Sequence, residues 1–350
     1  MTASSHQLSA LAEVRAIDAL TAGFPRHPDQ WNAPHTSDAE IVRLQPLGSD
    51  TYLAATIDGI TSEITGGFYR DLYTAGWVLV QANLSDLAAV GAAPIGLMLA
   101  LSLNTSISDN ARLSQGITDA LVASGVPVLG GDLNDSQAPS LTACAIGLVQ
   151  GRVVTRIGIQ PGDTLWTTGP LGTGNALAIV RMMGLPDGLC PEAAYRPQAR
   201  LTIGASVRPF AKAMMDTSDG PMSTLDHLAR LNNVGWAVGF DADALVETTV
   251  LQAFRSAGLP VWPLLCGEHG EYELLIAVDP ADEAALRAIA PTAVKLATAT
   301  TEPGITLHLP DGRTLAFEGD FIRNLAARTN GDWAAYAAEF QAYGARLGLG

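Results

Sequence analysis

The run from Gln81 to Gly91, QANLSDLAAVG, constrains the fold most strongly, because it sets polar side chains inside an otherwise apolar stretch. From Thr74 to Val90 the apolar spacing predicts a largely buried helix, with Gly91 and Pro94 as its stop signal. Asn83 and Asp86 are three residues apart and share one face of that helix. Burying such a face without partners is costly, so the fold must supply either a metal ion or a hydrogen-bonded neighbour. Mg²⁺ suits the first alternative, since it takes carboxylate, hydroxyl and water oxygens and commonly bridges substrate phosphates.

Around this helix, strands and helices alternate. Residues 7–24 have helical spacing and lead into a Pro-containing loop through residue 37. Strands are expected at Ile41–Leu44 and Tyr52–Ile57, with a turn from Pro46 to Asp50 between them. A strand at 95–103, a helix at 110–124, a strand at Val126–Leu129 ending in Gly130-Gly131-Asp132, and a strand at Leu141–Val149 follow. This is the order of an α/β layered domain with helices packed on a sheet, closing near residue 150. A second domain, 151–325, opens with a strand at Thr164–Thr168 and a helix from Gly169–Gly174 to about Met183. Strands near Ala213–Met215, at 235–240 and at Glu273–Val278 surround a helix at 221–232. Residues 330–346, within a terminal segment 326–350, read as an amphipathic helix. Its aromatic stripe, Trp333, Tyr336, Phe340 and Tyr343, is expected to pack on the body or on a second subunit, with a lid over a ligand as the alternative.

The length of 350 residues accommodates two domains, and 48% apolar with 16% charged residues indicates compact structure. A formal charge of −15 would repel nucleic acid or an anionic membrane surface, so the expected partner is a small molecule. Divalent cations would let such an acidic chain hold a polyphosphate. The N-terminus has no basic segment followed by an apolar core, and no uncharged apolar run reaches the ~18 residues of a membrane span, so a cytoplasmic protein is expected. Cys144, Cys190 and Cys266 are too scattered for a disulfide framework or a zinc site.

The chemistry is concentrated in short Asp-bearing motifs at expected strand ends and turns. They are Thr36-Ser37-Asp38-Ala39, Thr56-Ile57-Asp58, Asn83-Leu84-Ser85-Asp86, Gly130-Gly131-Asp132 and Asp216-Thr217-Ser218-Asp219-Gly220. Carboxylates beside Gly and Ser at such positions project into a cleft where phosphate can approach the backbone. The chain has only Lys212 and Lys295, so a P-loop lysine is missing from its first 211 residues. Gly169-Pro170-Leu171-Gly172-Thr173-Gly174 lacks the Gly-Lys-Ser/Thr ending and reads as a tight strand-to-helix turn. Neither a Gly-x-Ser-x-Gly elbow nor a His-Glu-x-x-His motif is present. Gly267-Glu268-His269-Gly270-Glu271-Tyr272-Glu273 is polar enough for a site loop.

At these motifs the sequence resembles the PurM-like superfamily of aminoimidazole ribonucleotide (AIR) synthetase, selenophosphate synthetase, the hydrogenase-maturation carbamoyl dehydratase and thiamine-monophosphate kinase, the last most of all. The kinase pattern Gly-Asp-Asp-Ala-Ala, Thr-Thr-Asp, Asn-Leu-Ser-Asp-Leu-Ala-Ala-Met-Gly-Ala, Gly-Gly-Asp, Asp-Ile-Ser-Asp-Gly and Gly-Gly-Glu-Asp-Tyr-Glu-Leu-Leu recurs in order across residues 36–278. The resemblance implies a two-domain PurM-like α/β fold that dimerises through its N-terminal sheet and holds ATP with Mg²⁺ in the cleft. It further implies metal ligation by Asp38, Thr56, Asp58, Asp86, Asp132, Asp216 and Asp219. Gly131, Asp132, Arg156 and Ser218 would lie on the nucleotide, Asp58, Asp86 and Asp219 would carry catalysis, and Phe68 and Glu271 would meet the acceptor.

Departures fall on the acceptor side. Ser37 and Ile57 replace an Asp and a Thr of the pattern, Gly66-Gly67-Phe68 has no His where the kinase has Gly-x-His-Phe, and Gly270 stands where the kinase's substrate-contacting Glu is expected. No cysteine precedes Cys144, and the chain ends in Gly350, against the selenophosphate and carbamoyl activities. The expected function is phosphoryl transfer from ATP to a small phosphate acceptor, with an ATP-dependent ligase or cyclase, or a nucleotide-binding pseudoenzyme, as alternatives.

Overall fold

The computed structural model describes residues 8, 10–22, 25–44, 50–103 and 110–349. The first sheet contains β1 (Glu40–Arg43), β2 (Thr51–Gly59), β3 (Ala93–Leu103), β4 (Val128–Asp135) and β5 (Ser140–Gln150) in the order β1-β2-β5-β3-β4. Its neighbours are antiparallel apart from the parallel pair β3 and β4. Burial alternates along β5, with Leu141, Ala143, Ala145 and Val149 on the covered face. The second sheet contains β6 (Thr164–Thr167), β7 (Ala213–Asp216), β8 (Gly235–Gly239), β9 (Leu274–Val278), β10 (Val294–Thr300), β11 (Gly304–His308) and β12 (Thr314–Phe317), ordered β12-β11-β8-β10-β6-β9-β7. Strands β6, β7 and β9 are buried along their whole length, and β9, Leu274–Val278, is accordingly a continuous apolar run.

The helix Leu72–Ala89 sits between the two sheets and is buried at every position from Thr74 to Ala89. Its side chains pack on β2, β3 and β5 on one side and reach β7, β9 and the helix Leu201–Val207 on the other. This double burial explains a helix that is apolar all round instead of along one stripe. Asp71 caps it, accepting from Tyr73 N at 3.0 Å. Neighbouring helices approach main chain to main chain. A Cβ on Gly116, in the helix Asn110–Ser124, would lie 2.0 Å from Tyr73 O, and one on Gly204 would lie 2.0 Å from Ala88 O.

Most expected elements are present within a residue or two, and the helix from the 7–24 segment spans Ala12–Thr21. The expected turn lies, over residues 46–49, outside the described residues. Two corrections matter. Gly130-Gly131-Asp132 lies inside β4, since the strand runs on to Asp135. Strands β10, β11 and β12 were not anticipated; in β10 the second half, Ala297–Thr300, alternates Ala and Thr and carries little apolar signal. The terminal helix Trp333–Leu347 buries Tyr336, Phe340 and Tyr343, with Phe340 4.6 Å from the Trp262 ring and Tyr343 stacked 4.4 Å from Phe321. Among the described residues no helix is long and apolar enough to cross a membrane.

The Gly116 contact can be tested. Gly116→Ala should lower the stability measured by urea unfolding by about 1–3 kcal/mol through overpacking. Gly188→Ala, where a Cβ meets open space, should leave it nearly unchanged.

Candidate active site

Three elements from different parts of the chain deliver carboxylates to one point: the loop before β1 (Asp38), the last turn of the central helix (Asp86) and the end of β7 (Asp216). One oxygen from each lies within 4.8 Å of the others. Thr56, on β2, donates to Asp86 Oδ2 at 2.5 Å. Two residues on, the N–H of Asp58 donates to Asn83 Oδ1 at 3.0 Å, while Asn83 Nδ2 donates to Leu79 O at 2.9 Å. Asn83 and Asp86 thus divide the work: Asn83 is satisfied by hydrogen bonds that pin β2 to the helix, and Asp86 enters the carboxylate cluster.

The turn after β7 is equally determined. Ser218 donates to Asp216 Oδ1 through its N–H (3.2 Å) and its hydroxyl (2.7 Å). Asp216 Oδ2 is buried with no hydrogen-bond partner among the described residues. Gly220 adopts φ 82°, and a Cβ there would lie 2.0 Å from Gly267 O, so only glycine lets this turn sit on the loop Gly267–Gly270. An orphaned carboxylate oxygen among like charges, with a hydroxyl at its edge, has the hard-oxygen donor set that suits Mg²⁺.

Burial first, and then the Asp219, Glu63 and Asp38 charges, push the Asp58 carboxyl up to about 6. Burial and the Asp38 charge push Asp216 up to about 7. Asp86 is raised too, by burial and by Asp216 and Asp58. The Arg156 guanidinium offsets part of this repulsion, with Nη2 3.0 Å from Asp38 Oδ1 and Nε 3.2 Å from Oδ2. Asp219 stands at the rim, 56% exposed, with Oδ2 3.8 Å from Arg323 Nη1. Asp132 does not join the cluster. It pairs in register with Ala100, one residue on from the row Asp58, Ala143, Leu99, Gly131, and so points to the opposite face of the sheet. There it accepts from Asn134 Nδ2 at 2.7 Å.

A cavity of about 220 Å³ is walled by Glu63, Phe68, Glu268, His269, Trp333 and Tyr336. Phe68 stacks on His269 at 5.3 Å and meets Trp333 edge-on at 5.0 Å. Tyr336 Oη donates to Glu268 at 2.9 Å. Burial lowers the His269 ring to about 4, so it is neutral, with Nε2 3.2 Å from Tyr69 Oη. Glu63 links the two regions, since it borders the cavity and its charge acts on Asp58. Phe68 is on the cavity wall, whereas Glu271 is turned elsewhere. Its carboxylate accepts from Thr173 N (3.1 Å) and Asn175 N (3.2 Å) and fills the amino end of the helix Thr173–Met182. Sequence reasoning missed Glu63 and gave Trp333 and Tyr336 first a packing role, with a ligand lid only as the alternative. A Trp-x-x-Tyr pair opening an amphipathic helix was the available signal.

The sequence signature described as AIR synthase related protein, N-terminal domain, matches residues 36–149. The chain belongs to the AIR synthase-related family. Within it, the similarity is to thiamine-monophosphate kinases. The enzyme of Halobacterium salinarum is 32% identical over 273 residues, covering 76% of this chain and 90% of that one. The enzyme of Synechococcus elongatus is 30% identical over 327 residues, covering 88% and 94%. The crystal structure of the Stenotrophomonas maltophilia enzyme superposes with a TM-score of 0.64 at 28% identity, covering 87% of this chain and 98% of that one.

The raised carboxyls give a stability signature. A carboxyl that holds its proton more tightly in the fold stabilises it fully below the ordinary Asp range, and that contribution is lost as pH rises through the folded value. Buried His269 and His227, held below their usual range, act oppositely only up to ~6.5. Without metal or nucleotide the melting temperature should therefore fall between ~pH 6.5 and ~pH 8. Saturating Mg²⁺ should restore most of the loss at the upper end. A flat melting profile by calorimetry across that window would contradict the clustering.

Proposed function

We propose that this chain transfers the γ-phosphoryl group of ATP to the phosphate of thiamine monophosphate, giving thiamine diphosphate and ADP. The observation that carries the reading is the adjacency of a three-carboxylate cluster to an aromatic cavity lined by acids. Thiamine is a flat organic cation, and aromatic faces with nearby carboxylates attract such a ring. Phe68, His269 and Trp333 supply the faces, and Glu63 and Glu268 the negative charge. The cavity chemistry thus supports this acceptor although Gly67 and Gly270 replace the polar residues of the kinase pattern.

Asp38, Asp86 and Asp216 would hold Mg²⁺, with Thr56, Asp58 and Asp219 bordering it. The metal would supply the charge neutralisation that a P-loop lysine gives elsewhere. The acceptor oxygen belongs to a phosphate already ionised at neutral pH, so no side chain has to remove a proton from it. The carboxylates are free to serve as ligands, and the task left to the protein is alignment. The cavity would fix the ring, with Glu63, whose charge acts on Asp58, at its border.

The active unit on this reading is a homodimer formed over the uncovered face of the first sheet. Ile57 and Met98 occupy one cross-strand row there with Cys144, and are 67% and 46% exposed. An apolar face of this kind calls for a partner. Asp132 lies on that same face, so we assign it to the cleft of the other copy.

The decisive assay mixes protein, ATP, Mg²⁺ and thiamine monophosphate and follows thiamine diphosphate by mass. Asp86→Asn should reduce kcat at least ~100-fold. Trp333→Ala should raise the acceptor KM about tenfold while leaving the ATP KM unchanged. ADP release indifferent to thiamine monophosphate would overturn the acceptor assignment. Separately inactive Asp86→Asn and Asp132→Asn chains, mixed equally and reassembled, should recover about a quarter of wild-type activity if Asp132 works across a two-fold interface. No recovery, or a monomer by light scattering, would remove that part of the proposal.

A further inference from the structure

Arg156 lies on the segment joining the two sheets, and its main chain is held from both sides. Its N–H donates to Thr36 O at 2.9 Å, and its carbonyl accepts from Asn232 Nδ2 at 2.8 Å. With the backbone fixed, the guanidinium grips Asp38, a side chain only 1% exposed, through both carboxylate oxygens. Nη1 turns towards His35 O and His227 Nε2, each 3.4 Å away. The Arg156 charge also acts on Asp86 and Asp216.

A two-pronged pair of this kind occupies both oxygens of its carboxylate with directional, charge-assisted bonds. One of those same oxygens belongs to the group of three within 4.8 Å. A cation entering the cluster and the guanidinium therefore want the same atom. We infer that Arg156 is the resident counter-cation of the cluster, occupying Asp38 and competing with Mg²⁺ for it until a nucleotide phosphate draws the guanidinium away.

The inference rests on the reading of the cluster as a Mg²⁺–ATP site. Phosphate oxygens offer a guanidinium the same planar two-pronged partner as a carboxylate, so the exchange costs few hydrogen bonds. Release of Asp38 then completes the metal's ligand set. Metal and nucleotide uptake become reciprocally coupled, each easing the other. Without nucleotide the cluster keeps its assembled geometry, because removing the guanidinium that faces it would leave buried carboxylates uncompensated.

The test is Mg²⁺ binding by titration calorimetry to nucleotide-free protein at ~pH 8, where carboxyls are largely ionised. Arg156→Met should bind Mg²⁺ on the order of tenfold more tightly than the wild type, the scale of a lost charge-assisted pair. Arg156→Lys, which keeps the charge but loses the fork, should fall between them and serves if the Met variant does not fold. With a non-hydrolysable ATP analogue present, the advantage of either variant should shrink or reverse. Equal or weaker Mg²⁺ binding by the variants in the absence of nucleotide would overturn the competition. Absence of Mg²⁺ binding to any form, with or without the analogue, would overturn the metal reading and this inference together.

Discussion

Burial of Asp86 on a helix that has no solvent-facing side is the constraint on which the cleft depends. The helix Leu72–Ala89 is packed by the first sheet on one side and by β7, β9 and the helix Leu201–Val207 on the other. Its last turn can therefore reach a ligand only where the two sheets diverge, and that is where Asp38 and Asp216 end. Asn83, one turn earlier, converts the same burial into a fixed register by holding the N–H of Asp58. Positioning of the carboxylates thus follows from packing, with no long flexible side chain involved.

Such a cluster is electrostatically unfavourable when empty, and the protein bears that cost in a graded way. Burial and neighbouring carboxylates push up both Asp58, at the cluster edge, and Asp216, which is almost fully buried. Arg156 meets Asp38, the member delivered by a loop, while Asp86 and Asp216 are held by the core elements themselves. The least rigidly carried carboxylate is the one with a dedicated counter-ion. Strain of this kind at a site is tolerated where the surrounding packing over-determines it.

Much of the carboxylate cluster was legible in the sequence, because Asp beside small residues near strand ends and helix turns is a local signal. Asp38, Asp86 and Asp216 carried it, and the structure brings those three together. Asp132 carried the same signal and lies apart from them, because β4 runs three residues beyond it and turns its side chain to the opposite face. Side-chain parity within a strand depends on where the strand ends, which composition does not reveal. The aromatic cavity was harder still. Its walls come from residues 63–68, 268–269 and 333–336, segments whose meeting is a property of the tertiary fold. Glu271 shows the converse: its motif position suggested a ligand contact, yet the backbone donors at Thr173 and Asn175 claim its carboxylate.

The main-chain contact between Gly204 and Ala88 has a consequence for motion. With no side chain to cushion it, the carbonyl at the end of the central helix seats directly on the helix Leu201–Val207. Sliding or rocking of one sheet against the other would drive these atoms together or strip a close-packed seam. The two halves therefore behave at that point as one block, not as jaws on a hinge. Access for ligands then falls to the perimeter, where Trp333 meets Phe68 edge to face.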